Sequence, residues 1–394
     1  MTMRRKKPAK LRRARTLVAY WHEAELVLEN YRTRRFVAVE PVLIRALAHF
    51  EDWQFVERAL DAMPEVNRRD LARAIRLLER ETILVRKDSR EARQDTQLAR
   101  GWAGWLPHAG VLHFGTKDVP FTVTGKKLER TLNEFLSQGQ QPPPSKSYPG
   151  SSQVRLRKPV SPFAANRYAG QQKAGPQDLF RILMERRTRR EFSPDKLTMD
   201  QLSSLLYFPW GVTGTMRVPQ LGSLVVKTSP SGGSRHPGEV YLLALRVDGL
   251  PPGLYHYSAM HHRLDRIRAG PVQTRAIRYC GGQKWAGKAA ALFLMTAVSA
   301  RTRWKYRIPR AYRALLVEAG HLCQVFLLVA TALGLAPFCT MALADSLIER
   351  DLGIDGIQES ALYVAGVGVP PRNDLRESRR RKANEALSPP VYPF

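Results

Sequence analysis

Apolar and polar positions follow two different rhythms along this chain, and the change falls before its middle. From Ala19 to Leu84 the spacing predicts mainly helix. Apolar residues recur on one face of Val42–Phe50 and of Leu71–Leu78, since side chains three and four apart share a helical face. Thr82-Ile83-Leu84-Val85 then reads as a short strand. Helices leading into a strand suit a small winged-helix-like domain, placed at 16–137. Such modules bind nucleic acid or peptide, so the fold alone does not choose. Trp102, Trp105, His108, His113 and Phe114 are expected to pack a core or a domain seam.

Gln138 to Pro162 is rich in proline, glycine and serine, the composition of an extended linker, assigned to 138–174. From 175 to 394 helices and strands alternate. Asp178–Arg187 and Thr198–Leu206 read as helices, Glu239–Val247 as a strand, and Gly253–Tyr257 with Arg263–Ile267 as a hairpin. Ala290–Val298 is almost continuously apolar, as a strand covered on both faces would be. Pro309–Leu333 reads as a helix apolar on nearly all sides. It needs cover on all sides, which an intertwined dimer would supply. Ala344–Arg350 is a further helix and Ala361–Val369 a final strand. The predicted class is α+β, with helices on a mostly antiparallel sheet.

Composition adds four points. Lys and Arg outnumber Asp and Glu by 63 to 35, a formal charge of +28, which favours anionic partners. The basic run Arg4–Arg15 has no apolar segment after it, so it is not a secretory signal and reads as a solvated tail over 1–15. The three cysteines, Cys280, Cys323 and Cys339, form no Cys-x-x-Cys pair and no metal spacing. No metal is expected, and a reducing cytoplasm fits. No Asp, Glu, Lys or Arg occurs from Ala319 to Ala344, long enough to suggest a membrane span. His321, Gln324, Gly334 and Pro337 interrupt it, and no span is expected.

Three clusters could carry chemistry. Arg186-Arg187-Thr188-Arg189-Arg190-Glu191-Phe192 offers a phosphate planar guanidinium forks and a hydroxyl, although a solvated basic face has the same composition. Ser229-Pro230-Ser231-Gly232-Gly233-Ser234-Arg235-His236-Pro237-Gly238-Glu239 sits just before a strand; its paired glycines let the backbone approach a flat ring, and Ser231 and Ser234 add hydroxyls. No Gly-x-Gly-x-x-Gly opens a helix, so it is no dinucleotide fingerprint. Arg301-Thr302-Arg303-Trp304-Lys305-Tyr306-Arg307 sets a Lys–Tyr pair among arginines. Neighbouring positive charge should lower both pKa values and make either group a better base.

In order and spacing these motifs resemble the nitroreductase superfamily, and within it the SagB-type branch. Arg186-Arg187-Thr188-x-Arg190-x-Phe192 is similar to the family's Arg-Arg-Ser-x-Arg-x-Phe, with Thr188 in place of Ser. Ser229-Pro230-Ser231-Gly232-Gly233 is similar to its Pro-Ser-Gly-Gly loop, and Gly253-Leu254-Tyr255-His256-Tyr257 to the branch's Gly-Leu-Tyr-x-Tyr. Lys305-Tyr306, with Glu318-Ala319-Gly320-His321 downstream, resembles its catalytic pair and following helix. Gly334-Leu335 and Gly366-Val367-Gly368 match the closing pattern. Arg372 could stand where plain nitroreductases carry a late basic residue. The likeness runs from Asp178 to Pro371.

The resemblance implies a cytoplasmic FMN enzyme, homodimeric, with flavin at the subunit interface. Arg186, Arg187, Thr188 and Arg190 would hold its phosphate, while Pro230, Ser231, Gly232, Gly233, Ser234, Gly366 and Gly368 would line the cofactor. Lys305 and Tyr306 would be catalytic, either one the base. The branch oxidises azoline rings of a ribosomal precursor peptide to azoles, with oxygen as electron acceptor, in some cases beside a cyclodehydratase partner; nucleic acid is not expected. Two other readings stay open. One is an NAD(P)H-dependent nitroreductase or quinone reductase on the same flavin site. The other is a basic winged-helix protein that binds a leader peptide or nucleic acid.

Overall fold

The computed structural model describes residues 9–118, 125–159 and 176–371. They form two compact units, parted between Phe121 and Thr122.

The first unit contains β1 (Lys10–Arg13), β2 (Leu17–His22), β3 (Glu25–Asn30), β4 (Arg35–Ala38), α1 (Val42–Ala48), β5 (Gln54–Phe55), α2 (Val56–Asp61), α3 (Arg68–Arg80), β6 (Leu84–Arg86), α4 (Arg90–Gly101) and α5 (His108–Gly115). Two expectations are corrected. Residues 17–38 are not helical but make the antiparallel meander β2–β3–β4. Their β-branched and aromatic content, with tight turns at Glu23 and Arg34 in the left-handed region, favours pleated pairing over helix. Nor is the basic run a tail throughout. Lys10–Arg13 is the central strand of the sheet β5–β1–β6. Its Arg12 is buried because Asp95, also buried, pairs with it at 2.6 Å and Trp53 lies under its guanidinium. α3 buries Leu71, Ile75 and Leu78, the face read from the sequence, with Asn67 capping its start.

The second unit contains α6 (Gly125–Ser137), β7 (Gln153–Arg155), α7 (Pro176–Glu185), α8 (Met199–Trp210), β8 (Gly214–Val218), β9 (Gly222–Val226), β10 (Gly238–Ala244), β11 (Gly253–Ser258), β12 (Arg263–Ala269), α9 (Gln273–Tyr279), β13 (Ala291–Val298), α10 (Ser299–Lys305), α11 (Ala311–Ala332), β14 (Ala336–Thr340), α12 (Asp345–Leu352) and β15 (Glu359–Gly368). Seven strands form one sheet in the order β14-β15-β13-β10-β11-β12-β7, and every neighbour in it is antiparallel. Side chains alternate across it. Val240 and Leu242 join Phe293, Leu206 and Phe326 on one face, while Tyr241 and Leu243 join Leu292, Tyr279 and Ile348 on the other. Both faces are therefore covered, which is why β13 reads as continuous apolar sequence. This is the α+β arrangement expected.

The segment read as a linker is more ordered than its composition suggests. α6 groups with the second unit, where Leu132 and Phe135 pack against Trp304. Within 138–159, Lys146 pairs with Glu359 and hydrogen-bonds the Tyr241 hydroxyl, and β7 adds a strand beside β12. The remainder, 160–175, and the tail residues 1–8 lie outside the described residues, as does Arg372.

α11 is long and apolar enough by composition to cross a membrane. It does not need cover on every side. Leu315, Glu318, Ala319, Leu322, Cys323, Phe326, Leu327 and Ala330 form one buried stripe toward the sheet and α8, as expected of a core helix. Its other face leaves Tyr312, Leu316 and Val317 exposed.

Candidate functional site

The glycine loop lies between β9 and β10, where the chain must reverse tightly. Gly233, Ser234 and His236 all take positive φ (61°, 56° and 45°), an unusual run in which only the first residue is glycine. Hydrogen bonds hold it there. The Ser231 hydroxyl donates to Glu318 Oε2 at 2.6 Å, and its oxygen accepts the His236 amide at 2.8 Å. Ser234 donates to the Val225 carbonyl at 2.8 Å. Both serine side chains thus face inward, so what the loop presents is chiefly backbone.

α10 brings Lys305 and Tyr306 against this loop. A β-carbon on Gly233 would stand 2.6 Å from the Tyr306 hydroxyl and 2.8 Å from Lys305 Nζ, and one on Gly232 would touch the Tyr306 ring. A side chain here would force the ends of Lys305 and Tyr306 to move. α10 is no surface loop. Arg301 is buried, donating to Glu239 at 2.6 Å, the His236 carbonyl at 3.0 Å and the Pro143 carbonyl at 2.8 Å. Glu239 also accepts from His256 at 2.8 Å. Burial would raise its carboxyl, but His256 and Arg301 together hold it down to about 2. A fixed ionic lattice thus underlies the Lys–Tyr pair.

The electrostatics correct one expectation. Lys305 is shifted down, first by burial and then by Arg235. Tyr306 is shifted up, because burial penalises tyrosinate more than Arg235 stabilises it. The two groups therefore move in opposite directions, not both downward. Arg235 was not singled out in the sequence, although it stands inside the loop motif. Its Nε donates to the Gly233 carbonyl at 2.9 Å, its Nη1 to Gln141 at 2.7 Å, and its guanidinium lies over Trp304.

The arginine cluster lies elsewhere. Arg189 N bonds the Pro337 carbonyl, Ser193 N bonds the Val369 carbonyl, and Arg190 lies over Trp285. Arg187 donates to the Met184 and Arg186 carbonyls. Thr188 is exposed beside them. Pro337 pairs with Val367, which pairs with Ala291 at the start of β13, whereas the glycine loop joins β10 at Gly238, opposite Ala297. Six residues of strand separate these ends, ~20 Å at about 3.3 Å per residue. Within one chain the arginines and the glycine loop do not meet.

Gly366 and Gly368 have a reason in packing. A β-carbon on Gly366 would stand 2.2 Å from the Phe338 ring, and one on Gly368 would stand 2.5 Å from that of Phe192. These two rings lie tilted against each other, centroids 5.8 Å apart, at the arginine end of the sheet.

This geometry can be set beside known proteins. The nitroreductase family matches residues 183–369. A putative nitroreductase of Methanocaldococcus jannaschii, MJ1384, is 31% identical over 187 residues, which cover 48% of this chain and 88% of that protein. The chain belongs to the nitroreductase family. Its nitroreductase region, β10 through β15 with α7, α8 and α11, holds both the glycine loop and the Lys–Tyr pair. Two further relatives match part of the chain. The trifolitoxin-processing protein TfxB of Rhizobium leguminosarum bv. trifolii is 31% identical over 173 residues, 43% of this chain and 46% of that protein. The microcin B17-processing protein McbC of Escherichia coli is 29% identical over 155 residues, 38% of this chain and 56% of that protein. The chain spans about half the length of these two relatives. Among the described residues no group of three or more His, Cys, Asp or Glu side chains could hold a metal.

Proposed function

We propose that this nitroreductase-family chain is an FMN-dependent dehydrogenase of the SagB type, oxidising an azoline ring in a ribosomally made peptide to the azole. The observation that carries the reading is the contact of Gly233 with Lys305 and Tyr306. A flat ring lying on this turn would have a proton acceptor at its edge. The donor set fits a flavin mononucleotide. Arg186, Arg187, Thr188 and Arg190 would hold its phosphate, and the backbone from Pro230 to Ser234 would face its ring. Because these groups stand at opposite ends of the sheet, the proposal includes a homodimer in which each flavin is shared between copies. Exposed Leu179, Phe180, Leu183 and Met184 on α7, beside Leu316 and Val317 on α11, supply an apolar face for it.

Bound flavin would supply the hydride acceptor for the reaction. The chain's own part is to orient the azoline and take a proton from the adjacent ring carbon. Lys305 is the better base of the pair, since burial and Arg235 both favour its neutral form. Tyr306 keeps its proton and can donate a hydrogen bond to the substrate. A cleft of about 770 Å³ opens against Tyr306, lined by Trp304, Ile308, Pro309 and Leu315 among others, and is assigned to the peptide beside the ring. A cyclodehydratase partner would supply the azoline. The three cysteines are free thiols, which supports a cytoplasmic setting.

The test is direct. Purified protein should be yellow, and Lys305→Ala should leave flavin bound while azoline oxidation falls roughly 10²–10⁴-fold, the usual weight of a general base. Full turnover in both Lys305→Ala and Tyr306→Phe would end the reading. Rapid anaerobic bleaching of the flavin by NADPH would instead favour the simple reductase, the activity suggested by the name of the Methanocaldococcus relative.

A further inference from the structure

The hydroxyl of Ser231 is committed inside the protein, and the group that commits it is a carboxylate from a different element. Glu318 projects from the buried stripe of α11, 6% exposed, toward the glycine loop. It accepts the Ser231 hydroxyl at 2.6 Å, and the backbone N–H of Gly238 lies near enough to lower its pKa. Ser231 opens the turn and Gly238 closes it. One side chain therefore holds the first end of the eight-residue segment that carries Gly233 and stands against its last. α11 packs closely over Gly238 through its side chains. A β-carbon there would stand 2.6 Å from Leu322 Cδ1, one turn along the helix from Glu318.

We infer that Glu318 is the positioning residue of this loop, holding it closed so that Gly233 stays against Lys305 and Tyr306, and that Ser231 serves this brace and is not a ligand of the cofactor. The inference rests on the proposed function only for what the loop is used for; the brace itself belongs to the chain without any ligand. Three chemical facts support it. A carboxylate can accept two donors at once, which an amide oxygen flanked by an NH₂ cannot do equally well. A charge-assisted O–H···O⁻ bond at this length is among the stronger hydrogen bonds proteins make. A buried carboxylate that lost its donors would be costly, so the loop and the helix are coupled in both directions. Burial shifts the Glu318 carboxyl up, opposed by the Ser231 hydroxyl and by the positive charge of Lys227, just past β9.

Amide hydrogen exchange on the full chain, read first without added flavin, tests this. In Ser231→Ala and in Glu318→Ala the amides of residues 232–236 should exchange about tenfold faster, with sheet amides such as those of β13 unchanged. The double variant should be no faster than either single one, because the two side chains form one interaction. Ser231→Thr, which keeps the hydroxyl, should restore protection. Glu318→Gln, which keeps the volume, should fall between and stands in if Glu318→Ala does not fold. Unchanged exchange in Ser231→Ala and Glu318→Gln, additive effects in the double variant, or acceleration spread evenly over the sheet would each overturn the brace. With FMN then added, braced variants should bind it normally and loosened ones about tenfold more weakly. Weaker FMN binding by Ser231→Ala with loop exchange unchanged would make Ser231 a cofactor ligand and overturn the inference. Failure of the unmutated chain to bind FMN would count against the proposed function while leaving the exchange result standing.

Discussion

The Tyr306 hydroxyl lies so close to Gly233 that a β-carbon there would come within 2.6 Å of that oxygen and push it aside. The position is doubly restricted, since its φ of 61° is also disfavoured for any residue with a β-carbon. Gly233→Ala is expected to destabilise the protein by roughly 1–3 kcal/mol and to displace Lys305 and Tyr306. Turnover should fall more than stability does. A thermal melt paired with an activity assay checks this, and an unimpaired enzyme would contradict the close approach.

Gly366 gives the contrasting case. Its missing side chain makes room for Phe338 and Leu292, both in the core. Gly366→Ala should cost about 1–3 kcal/mol by overpacking, while the folded fraction binds FMN with unchanged affinity. Denaturant titration and flavin fluorescence separate the two effects. Weakened binding at full stability would point to a direct cofactor contact.

His236 should make the protein acid-sensitive. Burial, with Lys227 adding to it, pushes the imidazole down from 6.5 to about 4. Its folded pKa lies below its unfolded one, so between these values the unfolded chain binds the extra proton. Stability is therefore fully present above pH 6.5 and falls as pH drops toward 4, by on the order of 3 kcal/mol. Urea midpoints measured across this range should show the loss, and His236→Gln should flatten it. An unchanged slope in the variant would assign the acid sensitivity to other groups.

The exposed face of α7 and α11 should be where two copies meet. Leu316→Glu combined with Val317→Glu is expected to yield a folded monomer with little FMN affinity, measured by sedimentation and by flavin absorbance. A dimer that persists through these charges would place the interface elsewhere.

Legibility in the sequence varied with the physics of each element. β10, β11, β12, β13 and β15 showed themselves because a strand covered on both faces, or a hairpin with matched apolar runs, leaves a plain apolar signature. Residues 17–38 misled because short amphipathic strands with exposed Tyr20, Trp21 and Phe36 carry no clear period. Arg12 misled because charge suggests solvent, and only the distant Asp95 makes its burial possible. At the site, the glycine loop and the Lys–Tyr pair were legible as motifs. Their contact was not, since 73 positions separate Gly233 from Tyr306 along the chain. The opposite shifts of Lys305 and Tyr306 were hidden too, because burial decides them and composition does not report burial.

The placement of the arginines and the glycine turn at opposite ends of one sheet has a genetic corollary. If each flavin draws its phosphate grip from one copy and its ring contacts from the other, two crippled polypeptides can rescue one another. A copy altered at Arg186 and Arg190, mixed with one altered at Lys305, would rebuild one sound pocket in every hybrid pair; with half of randomly formed pairs hybrid, about a quarter of full activity would emerge from two inactive parents.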